Sequence, residues 1–280
     1  MKKSTLRTVL FNAPYSIWAA IFIIIPLIFV VYYSFWDADA GKITFEYIKR
    51  FGTATYLRSF MLSVLLSLAA TAIALVLAYP FAYFLSRMKP KSQQIQMILI
   101  MLPMWMNMLV RTYSWSNILE NNGILNYLLG LIGLGPINFL GSYGAVILGM
   151  VYNYLPYMIL PIYTGMSKIE QPLLEAADDL GCTGFQKLRH VILPLSIPGV
   201  ISGIIMVFVP SISTFYISQR MSNGQIMLIG DIIEMQIKEH SAAQGLNIGS
   251  AMAFILMVII LICTFIMNKY SDDSNAGGMV

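Results

Sequence analysis

Glu175, Asp178 and Asp179 bring three carboxylates into about one helical turn of a chain with only thirteen acidic residues in 280. A cluster of this kind suits ion pairing with a basic partner surface. No serine, histidine or cysteine arrangement suggests a nucleophile. Cys182 and Cys263 are too few and too far apart for a disulfide framework or a metal site. Arg111 is of another kind: it lies inside an apolar run, and an ionisable residue in such a place is a functional candidate by default. Asp231 and Glu234 form an acidic pair in a hydrophilic segment between two apolar runs. An ATP site is excluded, because a P-loop needs G-x-x-x-x-G-K-[ST]. The sole Gly-Lys pair, Gly41-Lys42, has Trp36 where the first glycine belongs and Ile43 after the lysine.

The elements that must position these residues are membrane spans. The chain is 58% apolar and 11% charged, with a mean hydropathy of +0.73. A soluble domain of this length cannot hide so much apolar surface, whereas lipid solvates it. A bilayer core needs roughly 20 apolar residues at about 1.5 Å rise each. Six segments qualify: 15–36, 60–86, 95–115, 142–166, 198–218 and 246–268. None contains Asp or Glu. The expected class is therefore all-α, a polytopic membrane protein with six transmembrane helices in a single domain. The first segment follows Lys2, Lys3 and Arg7, and Ala38 and Ala40 give a small-x-small pattern. The run is nonetheless longer than the roughly 7–15 residues of a signal h-region, so it reads as a retained span.

Lys and Arg set the expected direction. Arg87, Lys89 and Lys91 crowd the shortest loop, and with Lys168, Lys187, Arg189 and Lys269 they place both termini in the cytoplasm. The net charge of +4 is a topology signal and not a nucleic-acid footprint. His190 and His240 then fall on opposite sides of the membrane and form no pair. Small residues four apart (Ala70 and Ala74, Ala145 and Gly149, Gly199 and Gly203, then Gly245, Gly249 and Ala253) allow close helix packing.

The cytoplasmic loop 167–196 has a helical logic of its own. Ser167 to Glu170 has capping-box spacing, and Pro172 suits a first turn. Leu173, Ala176, Ala177 and Leu180 share one face, and Gly181 supplies a left-handed stop. Thr183 to Gln186 looks like a second capping box, Phe185, Leu188 and Ile192 give a second stripe, and Pro194 is expected to end it. The spacing predicts helix, glycine turn, helix.

Glu175-Ala176-Ala177, three residues, Gly181, nine residues, then Val191-Ile192-Leu193-Pro194 resembles the EAA loop of type I ABC-importer permeases, with Val191 where that family usually has Ile. The resemblance implies the fold of those permeases and a role for Glu175, Ala176, Ala177, Gly181, Leu193 and Pro194 in coupling to a nucleotide-binding ATPase dimer. It further implies a second permease subunit, expected to be a different chain, an extracytoplasmic substrate-binding protein, and residence in a bacterial inner membrane. The chain itself would need no cofactor, with ATP and Mg bound by the partner.

The stretch from Leu102 to Trp115, Asn122-Gly123-Ile124-Leu125-Asn126, and Leu228-Ile229-Gly230-Asp231 are similar to permeases of the spermidine/putrescine importers. Importers of other organic cations, iron and opines share parts of this pattern. A polycation would have to cross spans without carboxylates, so aromatic faces, each worth about 0.5–2 kcal/mol to an ammonium, become candidates. Trp105, Asn107, Tyr113, Tyr152, Tyr154, Tyr157, Phe215 and Tyr216 are the candidate path, with Arg111 of open role beside them. Packing or interfacial anchoring is the alternative for each aromatic. Asp231 and Glu234 are the candidate outer-mouth contact, for cargo or for the binding protein, on a helix from 226 to 240 whose bland alternative is a solvated cap. An ion-coupled secondary transporter stays open as another class, although it would usually carry a midplane carboxylate. A non-transporting assembly factor would have no reason for the EAA loop.

Overall fold

The computed structural model describes residues 13–37, 41–239 and 243–277. Lys2, Lys3, Arg7, Ala38, Ala40 and His240 lie outside the described residues. Among the described residues twelve helices follow one another. They are α1 (Ala13–Phe35), α2 (Glu46–Arg50), α3 (Ala54–Ser86), α4 (Pro90–Trp105), α5 (Met108–Leu119), α6 (Ile124–Leu131), α7 (Tyr143–Ser167), α8 (Gln171–Asp179), α9 (Gly184–Ile212), α10 (Tyr216–Met221), α11 (Ile229–Glu239) and α12 (Ala243–Gly277). The described strands are a two-residue antiparallel pair, β1 (Trp36–Asp37) and β2 (Lys42–Ile43).

Among the described residues five helices are long and apolar enough to cross a membrane: α1, α3, α7, α9 and, within α12, Gln244–Lys269. A sixth crossing is made if α4 and the segment Met108–Leu131 count as one span bent by 90°. The sequence predicts an unbroken third span over 95–115, and the structure breaks it at Met106-Asn107. Met106 is extended (φ −77°, ψ 146°), and the Leu109 N–H donates to Asn107 Oδ1 at 2.8 Å, which starts a new helix. Side-chain capping of this kind competes with helix continuation even inside an apolar run.

The chain divides into two compact units, 1–57 with 232–259 and 58–231 with 260–280. In the first, Phe35 meets Phe45 and Phe254 edge-on, each at 5.5 Å, and Asn247 Nδ2 donates to the Trp36 carbonyl at 2.9 Å. Gly249 faces Ile237 so closely that a Cβ there would lie 2.7 Å from Ile237 Cγ1.

In the second unit the core is built on small residues. Ala70, Ala74, Ala78 and Ala82 of α3 are fully buried, one per turn. Helices α7 and α9 cross in near backbone contact: a Cβ on Gly199 would sit 2.6 Å from the Pro161 carbonyl oxygen, and one on Gly203 2.8 Å from Met158 Sδ. Helix α3 joins this pair through Tyr79 Oη and Ser196 Oγ, 3.1 Å apart. Beyond α5, the buried Asn126 ties three strands of chain together: its Nδ2 donates to the carbonyls of Glu120 and Ile137, and its Oδ1 accepts from the Ile137 N–H.

Candidate functional site

The loop between α7 and α9 is held by local bonds. Helix α8 ends in a Schellman turn, in which Gly181 N–H donates to Asp178 O at 2.9 Å and Cys182 N–H to Ala177 O at 3.0 Å. Gly181 has φ +76°, a left-handed conformation that side chains with a Cβ resist. Thr183 and Gln186 then form the reciprocal capping box expected from their spacing, with Thr183 N–H to Gln186 Oε1 at 2.8 Å. Lys187 pairs with Asp178 and braces the turn from one side to the other.

Three expectations for this loop are corrected. Ser167 to Glu170 forms no capping box: the Ser167 hydroxyl donates back to Thr164 O at 3.0 Å, because α7 still runs through that position. The apolar face of α8 divides, with Leu174 and Ala177 turned inward while Leu173, Ala176 and Leu180 are exposed, Leu180 by 84% and the nearby Phe185 by 70%. Pro194 does not end the second helix. A π-turn over Leu188–Ile192, in which Leu193 N–H reaches Leu188 O, carries the chain past the proline, and α9 continues into the membrane. The wider turn suits a residue with no N–H to place. Leu193 and Pro194 are exposed at this joint, and Glu175 is exposed on α8.

The proposed path residues are not gathered into one channel. Trp105 is 78% exposed at the end of α4. Asn107 caps α5, and its carbonyl oxygen accepts the Arg111 backbone N–H at 3.1 Å. The Tyr113 ring is already covered by the Arg220 guanidinium, 3.9 Å from its centroid, and Arg220 Nε also donates to Ser116 Oγ at 3.0 Å. Tyr152 packs edge-on against Trp115 at 5.2 Å. Phe215 and Tyr216 stand at the start of α10, Phe215 exposed and Tyr216 half-buried. Tyr157 lines a groove of about 840 Å³ along α7 and α9, with Pro161, Lys168, Pro198, Gly199 and Met206. Tyr154, next to it, is buried, and its hydroxyl donates to the Pro210 carbonyl at 3.4 Å.

Asp231 differs most from its expected place. It is 4% exposed, and its two oxygens accept from the Ser218 hydroxyl and the Leu228 N–H, both at 2.8 Å. The carboxylate caps α11 from within and does not face solvent. Glu234 forms an ion pair with Lys238 at 2.6 Å. The residues around Asp231 share this structural duty: Ile229 N–H donates to Ser63 Oγ at 2.8 Å, and a Cβ on Gly230 would meet Thr214 O at 2.5 Å. Asp231→Ala is therefore expected to lower the thermal midpoint of the purified permease by the equivalent of about 1–3 kcal/mol, as two buried donors lose their acceptor. A midpoint equal to the parent's in the same detergent would remove this role.

The all-helical architecture, with five described helices able to cross a membrane or six if the bent pair counts as one span, agrees with what comparison with known proteins finds. Residues 74–275 match the family described as "Binding-protein-dependent transport system inner membrane component". The chain is 35% identical over 256 residues to the spermidine/putrescine transport system permease protein PotB of Haemophilus influenzae, covering 89% of this chain and 88% of that one. It is 33% identical over 253 residues to PotB of Escherichia coli, covering 86% and 92%. In fold it is similar to a chain of a bacterial ABC transporter involved in the import of the acidic polysaccharide alginate, with a TM-score of 0.75 at 18% identity, covering 97% of this chain and 98% of that one. The chain belongs to the binding-protein-dependent transport system inner membrane component family and is a multi-pass permease of the type I ABC-importer fold.

Proposed function

We propose that this permease carries polyamines inward, driven by a separate ATPase pair that seats on the α8–Gly181–α9 turn and itself binds ATP and Mg. The observation that carries the coupling half is the exposed apolar set Leu173, Ala176, Leu180 and Phe185 beside Glu175 and Asp179, on a turn fixed by its own hydrogen bonds. Exposed apolar side chains flanked by charge mark a protein contact more often than a water-facing surface. The cargo half is supported by PotB relatives whose printed names specify spermidine and putrescine. A second, different permease chain would complete the path, and a soluble binding protein would supply the cargo on the side opposite the turn. Both termini then lie in the cytoplasm, on the side of the Arg87, Lys89 and Lys91 cluster.

Specificity in this reading rests outside the chain. Among the described residues the long helices carry no Asp or Glu inside their spans, so within them an ammonium group would meet aromatic faces, backbone oxygens and hydroxyls such as Thr164 and Ser202, with Glu170 at the loop end of the groove. The test is ATP-dependent uptake of labelled spermidine and putrescine into vesicles holding the reconstituted importer with its binding protein. Uptake is expected to saturate and to stop without the ATPase. Uptake of neither polyamine, alongside transport of another solute by the same vesicles, would sink the cargo assignment and leave the coupling intact.

A further inference from the structure

Arg111 is 6% exposed, and its Nε and Nη1 have no hydrogen-bond partner among the described residues. It stands in the first turn of α5, immediately after the break at Met106-Asn107, so the positive end of a twelve-residue helix adds to its charge. Its neighbour Thr112 accepts a hydrogen bond from Asn153 Nδ2 at 3.3 Å, which fixes α5 against α7. No described carboxylate of this unit answers Arg111. Glu120, at the far end of α5, is nine residues away, or about 13 Å along the helix axis. Glu170, Glu175, Asp178 and Asp179 belong to the coupling loop, and Asp231 is engaged with Ser218 and Leu228. None of the three described ion pairs includes Arg111.

A guanidinium removed from water and left without a counter-charge is strongly unfavourable, and it is kept only where a partner arrives. We propose that Arg111 is a binding site for a carboxylate from outside this chain, taken at the helix break by the free Nε and Nη1 donors. Each of those two donors forms, with Nη2, one edge of the guanidinium that a planar two-oxygen anion fits. The carboxylate has two available sources with the same chemistry: an Asp or Glu of a facing permease chain, or a small solute carboxylate. The proposal does not depend on which cargo the importer carries.

The test uses the full importer in lipid nanodiscs. In the first arm, each membrane-embedded Asp and Glu of the second permease chain is changed to Asn or Gln, alone and together with Arg111→Gln. In the second arm, acetate is raised from about 5 to about 200 mM at constant ionic strength against a bulky sulfonate while the thermal midpoint is followed. A facing-chain partner predicts that Arg111→Gln and one of those neutral variants each lower uptake about tenfold, and that the pair lowers it no further. A solute partner predicts that acetate raises the midpoint of the parent but not that of Arg111→Gln. If Arg111→Gln does not assemble, the single variants of the second chain and the acetate response of the parent still decide. Additive effects in the first arm together with no acetate response in the second would overturn the proposal, leaving the guanidinium satisfied within the chain by a group such as Asn153 Oδ1, which is itself unpartnered.

Discussion

Gly181→Pro is expected to abolish substrate-stimulated ATP hydrolysis in the assembled importer, with a loss of at least about tenfold, while the permease still inserts. Proline holds φ near −65°, and position 181 requires +76°. The variant also removes the N–H that donates to Asp178 O at 2.9 Å, so the Schellman turn that sets α8 against α9 cannot close. Gly181→Ala separates strain from crowding. A Cβ at this position meets nothing within 4 Å, so alanine carries only the left-handed penalty of about 1–2 kcal/mol and is expected to keep a substantial share of the stimulation. Stimulated hydrolysis equal to the parent's in the proline variant would detach this turn from coupling.

Gly199→Val is expected to remove most of the folded permease from the membrane, by about tenfold or more. The first added carbon would lie 2.6 Å from the Pro161 carbonyl oxygen and 3.3 Å from Ile162 Cα, and both are backbone atoms that cannot rotate away. Overpacking typically costs about 1–3 kcal/mol where side chains are able to yield, and here the helices themselves would have to part. Gly130→Ala is the matched control, because a Cβ on Gly130 meets nothing within 4 Å and alanine favours the helix by about 1 kcal/mol. Fluorescence-detected size exclusion of tagged variants, before and after heating, measures both. A Gly199→Val permease that survives heating as well as Gly130→Ala would show that α7 and α9 are free to separate.

How much of this was legible in the sequence depends on the range of the interaction. The turn at Gly181 and the capping box at Thr183 are made by residues at most five apart, and their spacing announces them. The close crossing at Gly199 and Gly203 is announced as well, because a small residue on each turn has little other use in a span. The break at Met106-Asn107 was hidden, since hydropathy runs through it and one amide side chain decides the outcome. The polarity of Asp231 is visible in the sequence and points it to water, while Ser218, thirteen residues upstream, is not visible as its partner. Likewise, which face an aromatic presents is not encoded where every face is apolar, so Trp105, Tyr113 and Tyr152 gave no sign that one is exposed, one stacked on Arg220 and one packed on Trp115.

The passage of α9 past Pro194 turns the loop and the span into a single lever. From Gly184 to its crossing with α7 at Gly199 the rod measures about 22 Å at 1.5 Å per residue, and of the glycines of α9 Gly199 has the closest neighbour, the Pro161 carbonyl oxygen. A point of such close contact acts as a pivot. Rotating the arm by about 10° around it sweeps the tip at Gly184 through about 4 Å, and it swings the end at Ile212 in the opposite direction by a similar amount, since thirteen residues lie beyond the fulcrum.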